Sequence, residues 1–352
     1  MFRYLLTLFN SLSDMPQFIT VSNKFPTTLS GLWDEIERIA IDMCDWAVFD
    51  PDSRAFLAKA ENRKYRQRFY RDFSIPKKSG GKRSITAPTS YLKGTQKALS
   101  ILLSTLYKAP KTVNGFAAGR SVETNAEVHI GKNYVFNTDL KDFFPSITAK
   151  MVRKALEDSG VEREVARYIS IVCTITTDND DLPEDVLPQG SPASPILSNM
   201  VCYMMDRNLE WLAHKYGLTY SRYADDMTFS SMHSVYGKKS VFLKEFRDTV
   251  TKYGFTINET KTRLQKKGER QEVTGIIVSD KTNVCRKYLK NLRAEIFQME
   301  MYGFSKEQYR SVRGKVAFVG MVRGKKDPLY MKLLARVCSI RGCPSGFLTQ
   351  IQ

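Results

Sequence analysis

Two aspartates stand side by side at Asp225-Asp226, preceded by Tyr223 and Ala224. Adjacent carboxylates repel each other, and their charge is costly unless a cation accompanies it. A hard divalent ion such as Mg²⁺ prefers a few carboxylates together with phosphate oxygens and water. Residues 218–230 alternate into and out of Ala224-Asp225, which places the pair at the tip of a β-hairpin. Another acid ends the β-rich run 133–140, where alternation puts Val135, Asn137 and Asp139 on one strand face. Carboxylates brought from separate strands suit two-metal phosphoryl transfer. One ion acidifies an attacking 3′- or 2′-hydroxyl, and the other holds a triphosphate and its leaving pyrophosphate. Asp142 either belongs to this group or is an ordinary solvated acid.

The elements around these acids follow from spacing. Leu187-Pro188-Gln189-Gly190-Ser191-Pro192-Ala193-Ser194-Pro195 is punctuated by glycine and proline, so it makes a fixed turn before a helix. The turn either presents Gln189 and backbone N–H groups to a nucleotide or is purely structural. The helix spans 194–216, with Leu197, Met200, Val201, Met204, Met205, Leu209 and Leu212 on one stripe. Further helices are predicted over 28–60, 91–108 and 241–253, a buried strand over 272–278, and three basic helices beyond about residue 283. Between 63 and 83, Arg and Lys interleave with Tyr65, Phe69, Tyr70 and Phe73. That mixture suits either a surface tracking a sugar-phosphate backbone or a solvated basic face. Inside it, Ile75 to Ile85 reads as strand, glycine turn, strand. Strands and helices are interspersed throughout, so the fold class is α+β.

Composition points the same way. The 352 residues carry 54 Lys+Arg against 37 Asp+Glu, a net charge of +17. Such a balance fits a polyanionic partner, because Lys and Arg displace counterions from phosphates. A membrane surface would want one concentrated basic amphipathic helix, and these charges are spread along the chain. The apolar start, Met1 to Leu12, contains Arg3 and Thr7, is too short to span, and reads as an amphipathic helix; no membrane partner is expected. Six cysteines (44, 173, 202, 285, 338, 343) show no metal or disulfide spacing and read as reduced, mostly buried thiols of a cytoplasmic protein.

Taken together and in this order, the motifs resemble the reverse transcriptases, across roughly residues 63–280. The resemblance implies a right-hand polymerase with fingers, an antiparallel palm sheet and a helical C-terminal thumb. It divides the chain into an N-terminal helical region (1–60), fingers and palm (61–270) and thumb (271–352). It makes Asp139, Asp225 and Asp226, with the Leu140 backbone, ligands of two Mg²⁺ ions. Arg83 with Lys77 or Lys78 would clamp the incoming triphosphate. Asp142, Phe143, Phe144 and Gln189 would surround the nucleotide, with Phe144 resembling the bulky gate against a ribose 2′-hydroxyl. Lys261, in Gly254-Phe255-Thr256-Ile257-Asn258-Glu259-Thr260-Lys261, matches the lysine that protonates the leaving pyrophosphate; otherwise it is a solvated lysine.

Two further motifs resemble those of the retron branch. They are Asn125-Ala126-Glu127-Val128-His129 and Val273-Thr274-Gly275. The branch implies an RNA-directed DNA polymerase that copies a cognate structured non-coding RNA. It primes on a guanosine 2′-hydroxyl, uses dNTPs, and makes branched RNA–DNA (msDNA) in bacterial antiphage defence with a separate effector. No RNase H segment is recognised after the palm, so a host RNase H is expected to remove the template. A group II intron-like enzyme would carry a maturase domain beyond the thumb, and a non-catalytic RNA-binding scaffold would lack a metal carboxylate. In the thumb, Arg286, Lys287, Lys290 and Arg293, then Arg310, Arg313 and Lys315 beside Tyr309, are expected to face an RNA hairpin. Leu289, Leu292, Ile296, Val316 and Val319 are expected to pack on the palm.

Overall fold

The computed structural model describes residues 24–43, 59–76, 80–176, 184–237 and 239–340. The helix expected over 1–12, the second half of that expected over 28–60, Lys77, Lys78, Cys44 and Cys343 lie outside these residues.

In chain order the elements are α1 (Leu29–Asp42), α2 (Arg63–Gln67), β1 (Tyr70–Pro76), β2 (Lys82–Pro88), α3 (Ser90–Leu106), α4 (Val122–Glu127) and β3 (Tyr134–Asp139). Then come α5 (Ala149–Asp158), α6 (Arg163–Cys173), β4 (Ile175–Thr176), β5 (Asp185–Val186), α7 (Ser194–Lys215), β6 (Thr219–Tyr223), β7 (Asp226–Ser231) and α8 (Val241–Lys252). The last are β8 (Arg263–Lys266), β9 (Glu272–Val273), β10 (Ile276–Ile277), α9 (Arg286–Tyr302), α10 (Lys306–Arg323) and α11 (Pro328–Cys338). A four-stranded sheet runs in the order β6-β7-β3-β8. The chain divides into two compact units.

The first unit takes the chain up to Gly119, then Thr138–Met227 and Val235–Thr262. Helix α1 starts where Thr28 Oγ1 accepts from the Gly31 amide at 3.2 Å, and it buries Leu32, Ile36 and Ile39. These face α3, whose Leu92, Leu99 and Leu102 are also fully buried. Each such side chain contributes about 1.5–3 kcal/mol of burial. Helix α7 opens with Pro195 in its first turn, and every residue from Ser194 to Met200 is buried. The stripe predicted on α7 holds at Leu197, Met200, Met205, Leu209 and Leu212, but Met204 is half exposed. The polar residues Asn199 and Asp206 take core positions instead.

The second unit holds Arg120–Asn137, Thr228–Ser234 and the chain from Arg263. Here β3 pairs antiparallel with β8, from Tyr134 opposite Lys266 to Asn137 opposite Arg263. The strand expected over 272–278 is instead a minimal hairpin. Val273 pairs with Ile276, and Thr274-Gly275 form the turn at φ +46° and +86°. Two successive positive φ values match the tight turn that the strand twist favours. Helices α9, α10 and α11 pack on one another through Leu292, Ile296, Met299, Val312, Val316, Val319, Leu333 and Val337. Gly320 permits the close approach of α11, since a Cβ there would lie 2.5 Å from the Tyr330 ring. Among the described cysteines, Cys173 and Cys202 are buried, whereas Cys285 is half-buried and Cys338 exposed. No helix among the described residues is long and apolar enough to cross a membrane.

Candidate active site

The acidic turn lies in the first unit. Tyr223 ends β6, Ala224 takes φ +56°, and Asp226 begins β7. Asp139 ends β3 and is 3% exposed, Asp225 is half-buried, and Asp226 is exposed. Backbone bonds bring the two acidic strands together: the Leu140 amide donates to Asp225 O at 3.1 Å. A third segment joins them, with Asn258 N donating to Asp139 O and Lys141 N to Thr256 O, each at 2.8 Å. That segment carries Lys261, whose Nζ pairs with Asp139 Oδ2. The pairing spans 122 residues of sequence and joins two residues singled out by their motifs.

The electrostatics match the geometry. Burial raises the Asp225 carboxyl above its usual range. Its own backbone hydrogen bond lowers it, the Asp139 charge raises it again, and Lys261 and Arg83 pull it down. For Lys261 burial acts downward, yet the hydrogen bond and charge of Asp139, then the charges of Asp225 and Asp226, raise it overall. Asp139 Oδ1 is buried with no hydrogen-bond partner. A buried carboxylate oxygen without a donor, facing a second carboxylate, fits a hard cation. Among the described residues, no three His, Cys, Asp or Glu side chains could by themselves hold one ion. Phosphate oxygens and water complete the coordination of Mg²⁺-type ions in such chemistry.

The residues expected to border a nucleotide lie in the same unit. Arg83 lies on β2 opposite Ile75, half-buried, and its charge reaches Asp225. The Thr86 amide donates to Gln189 O at 2.9 Å, so β2 holds the turn before α7. Gly190 has φ +139°, and a Cβ there would fall 2.8 Å from Thr86 O; only glycine fits. Ser191 Oγ donates to Gln96 Oε1 at 2.7 Å and fixes the far side of that turn. Phe143 is buried and Phe144 half-buried, their ring centroids 5.3 Å apart. Phe144 also meets the ring of Phe116 at 6.2 Å. Asp142 is exposed, with φ +46°.

Residues 75–308 match the family model of the reverse transcriptase (RNA-dependent DNA polymerase). The retron Ec86 reverse transcriptase of Escherichia coli is 34% identical, over 73% of this chain and 77% of that protein. This chain is a reverse transcriptase of the retron branch. The retron Mx65 and Mx162 reverse transcriptases of Myxococcus xanthus are 37% and 32% identical, over 79% and 76% of this chain. The chain spans 66% of the first and 61% of the second. Reverse transcriptases generally use divalent metal ions, as the acidic turn suggests.

In this reverse transcriptase Asn125 and Thr274, from the two motifs that resemble those of retrons, meet in the second unit. Asn125 Nδ2 donates to Thr274 Oγ1, and Thr274 Oγ1 to Val122 O, each at 3.4 Å. His129 has no exposed surface, and its Nδ1 lies 2.7 Å from Ser230 Oγ. Burial, assisted by the Lys132 charge, lowers the imidazole to about 3, so it is neutral at physiological pH. Val273 is buried as well. Arg286 and Lys290 are exposed on α9 and Arg313 half-exposed on α10, whereas Lys315 pairs with Glu295 at 2.5 Å. Tyr309, expected beside the basic face, is buried.

Sequence reasoning missed a polar cluster behind the acidic turn: Arg222, Asp206, Asn199, Gly115 and Phe116. One signal was available. Asn199 and Asp206 lie seven residues apart, hence on one face of a helix whose other residues on that face are apolar.

Proposed function

We propose that this protein is an RNA-directed DNA polymerase that copies a cognate structured non-coding RNA. It starts from a guanosine 2′-hydroxyl in that RNA and makes branched RNA–DNA. The observation that carries the chemistry is the convergence of Asp139, Asp225, Lys261 and Arg83, with the buried Asp139 Oδ1 left without a donor.

Two Mg²⁺ ions, bound by Asp139, Asp225, Asp226 and the Leu140 backbone, would acidify the attacking hydroxyl and neutralise the triphosphate. The chain's own residues do the rest. Arg83, with Lys77 or Lys78, binds the triphosphate. Asp142, Phe143 and Gln189 border the nucleotide, and the Phe144 ring opposes a 2′-hydroxyl. Lys261, held protonated beside the carboxylates, donates a proton to the departing pyrophosphate.

In this reading residues 1–60 form an N-terminal helical region, 61–270 fingers and palm, and 271–352 the thumb. Asn125, His129 and Val273-Thr274-Gly275 belong to the RNA-recognition region. Arg286, Lys290 and Arg313 meet the RNA by phosphate contacts, because an A-form major groove is too narrow for side-chain readout. The net charge of +17 supports such a partner. The biological setting is antiphage defence in the bacterial cytoplasm, with a separate effector protein and template removal by host RNase H.

The test is to purify the protein from bacteria carrying its native locus and to sequence the nucleic acid bound to it. Single-stranded DNA joined 2′–5′ to a guanosine of an adjacent RNA is expected. Bound RNA with no DNA, or DNA without a branch, would overturn the reading.

A further inference from the structure

Behind the acidic turn lies a cluster of charged and polar groups with no part in the chemistry described above. Arg222 and Asp206 are both wholly buried. Arg222 Nε donates to Asp206 Oδ1 at 2.7 Å and Nη2 to Asp206 Oδ2 at 2.6 Å, a two-pronged grip. Tyr220 adds its hydroxyl to Asp206 Oδ1 at 2.9 Å. That grip fixes the plane of the guanidinium, and two further N–H groups follow from it. Nη2 also reaches Asn199 Oδ1 at 3.1 Å, and Nη1 reaches Ala224 O at 2.8 Å.

The last contact is the informative one. Ala224 is the left-handed residue of the acidic turn, immediately before Asp225. Its conformation is one that a side-chain-bearing residue adopts only when its surroundings impose it. Three neighbours impose it here. Gly115 lies so close that a Cβ would fall 2.2 Å from the Ala224 amide nitrogen. The Leu140 amide holds Asp225 O, and the Arg222 guanidinium holds Ala224 O. Asn199 extends the same cluster, donating from Nδ2 to Gly115 O at 3.0 Å and to Phe116 O at 3.3 Å. Phe116 is itself left-handed at φ +58°, and its ring lies against Phe144.

We infer that Arg222, oriented by Asp206 on α7, is a positioning residue that sets the acidic turn and so the placement of Asp225 and Asp226. The inference rests on the reading of that turn as the polymerase centre. A buried ion pair is poor evidence of stabilisation, since an apolar pair of similar volume commonly holds two elements together as well. An apolar pair cannot donate to Ala224 O while its own orientation is fixed from behind. Asn199 carries the same restraint to the Phe116–Phe144 contact, which links acid placement to nucleotide placement.

Two variants separate positioning from folding. Arg222→Met with Asp206→Leu removes both charges together and leaves neither unpaired. Arg222→Lys keeps the charge but cannot grip both Asp206 oxygens and Ala224 O. Each is assayed for thermal unfolding, for extension of oligo(dT) on poly(rA) with dTTP, and for Mn²⁺ binding by electron paramagnetic resonance. Both are expected to unfold cooperatively and to bind primer–template as the unaltered protein does. Both should lose about tenfold to a hundredfold in kcat, as a displaced reacting group does, and bind Mn²⁺ more weakly. Wild-type kcat and Mn²⁺ affinity in the folded variants would overturn the inference. So would loss of cooperative unfolding in both, because the pair would then serve the fold and not the turn. Asp225→Asn is assayed alongside: full synthesis by that variant would remove the reading of the centre itself, whereas its silence leaves the Arg222 result to stand alone.

Discussion

Among the described residues, two hairpin turns place a residue other than glycine in the left-handed region: Ala224 at φ +56° in the acidic turn, and Thr274 at φ +46° in the Val273-Thr274-Gly275 turn. They are held in opposite ways. The acidic turn is gripped from behind by a buried guanidinium, a close-packed glycine and the Leu140 amide, and its carboxylates lie within the electrostatic reach of Lys261. The second turn joins strands of two residues each. A glycine shares its conformation, and Thr274 makes only two 3.4 Å hydrogen bonds, to Asn125 and to Val122 O. Its neighbours Val273 and Asn125 are buried. Strain held by a directed charge network keeps reactive groups in place. Strain held by packing and weak contacts keeps a surface in shape. The first should fail through chemistry, the second through stability.

The largest effect belongs to the acidic turn. Asp225→Asn should lower DNA synthesis by about three orders of magnitude, ~4 kcal/mol of barrier, with RNA affinity unchanged in filter binding. If affinity fell in step with synthesis, the two turns would not differ in kind.

His129 gives the next effect, through pH. Its folded-state value of about 3 lies below the ordinary 6.5, so the folded protein binds fewer protons than the unfolded chain. Stability is therefore complete above pH ~6.5 and declines by about 1.4 kcal/mol per pH unit as pH falls toward the folded value. In His129→Asn this component should vanish. Urea titrations between about pH 7 and pH 5 measure the difference, and equal slopes for both proteins would show that His129 is protonated in the folded state.

The smallest effect tests Thr274 itself. Asparagine tolerates the left-handed region better than a β-branched residue, and its side chain can still accept from Asn125. Thr274→Asn should therefore leave stability level or raise it by up to about 1 kcal/mol, read as an unchanged or higher Tm. A fall of several degrees would mean that the threonine is held by more than those two weak bonds and would bring the two turns closer in kind.

Local pattern was enough for the short-range features. Paired acids at a hairpin tip, an acid at a strand end and a glycine turn between basic strands each depend on neighbours within a few residues. So does the helix Ser194–Lys215, which forms as its periodicity predicts. The basic, cation-rich composition and the order of the motifs were enough to point to the reverse transcriptases. Residues 272–278 show where local pattern fails. A run of β-branched and apolar residues reads as one strand, but Thr274 and Gly275 reverse the chain within it. Propensity cannot register a threonine held left-handed in a two-residue turn whose side-chain partners, Asn125 and Val122 O, lie some 150 residues away.

The sequence by itself determined which residues carry charge that must be neutralised and on which kind of element each one lies. Only the tertiary structure decided the pairings: Lys261 with Asp139, Arg222 with Asp206 and Ala224, Phe116 with Phe144, His129 with Ser230. The reason is physical. Periodicity reports which side of an element is buried. The partner of a buried charge is chosen by desolvation, which makes every unpaired candidate costly and leaves only arrangements in which distant segments satisfy one another at once.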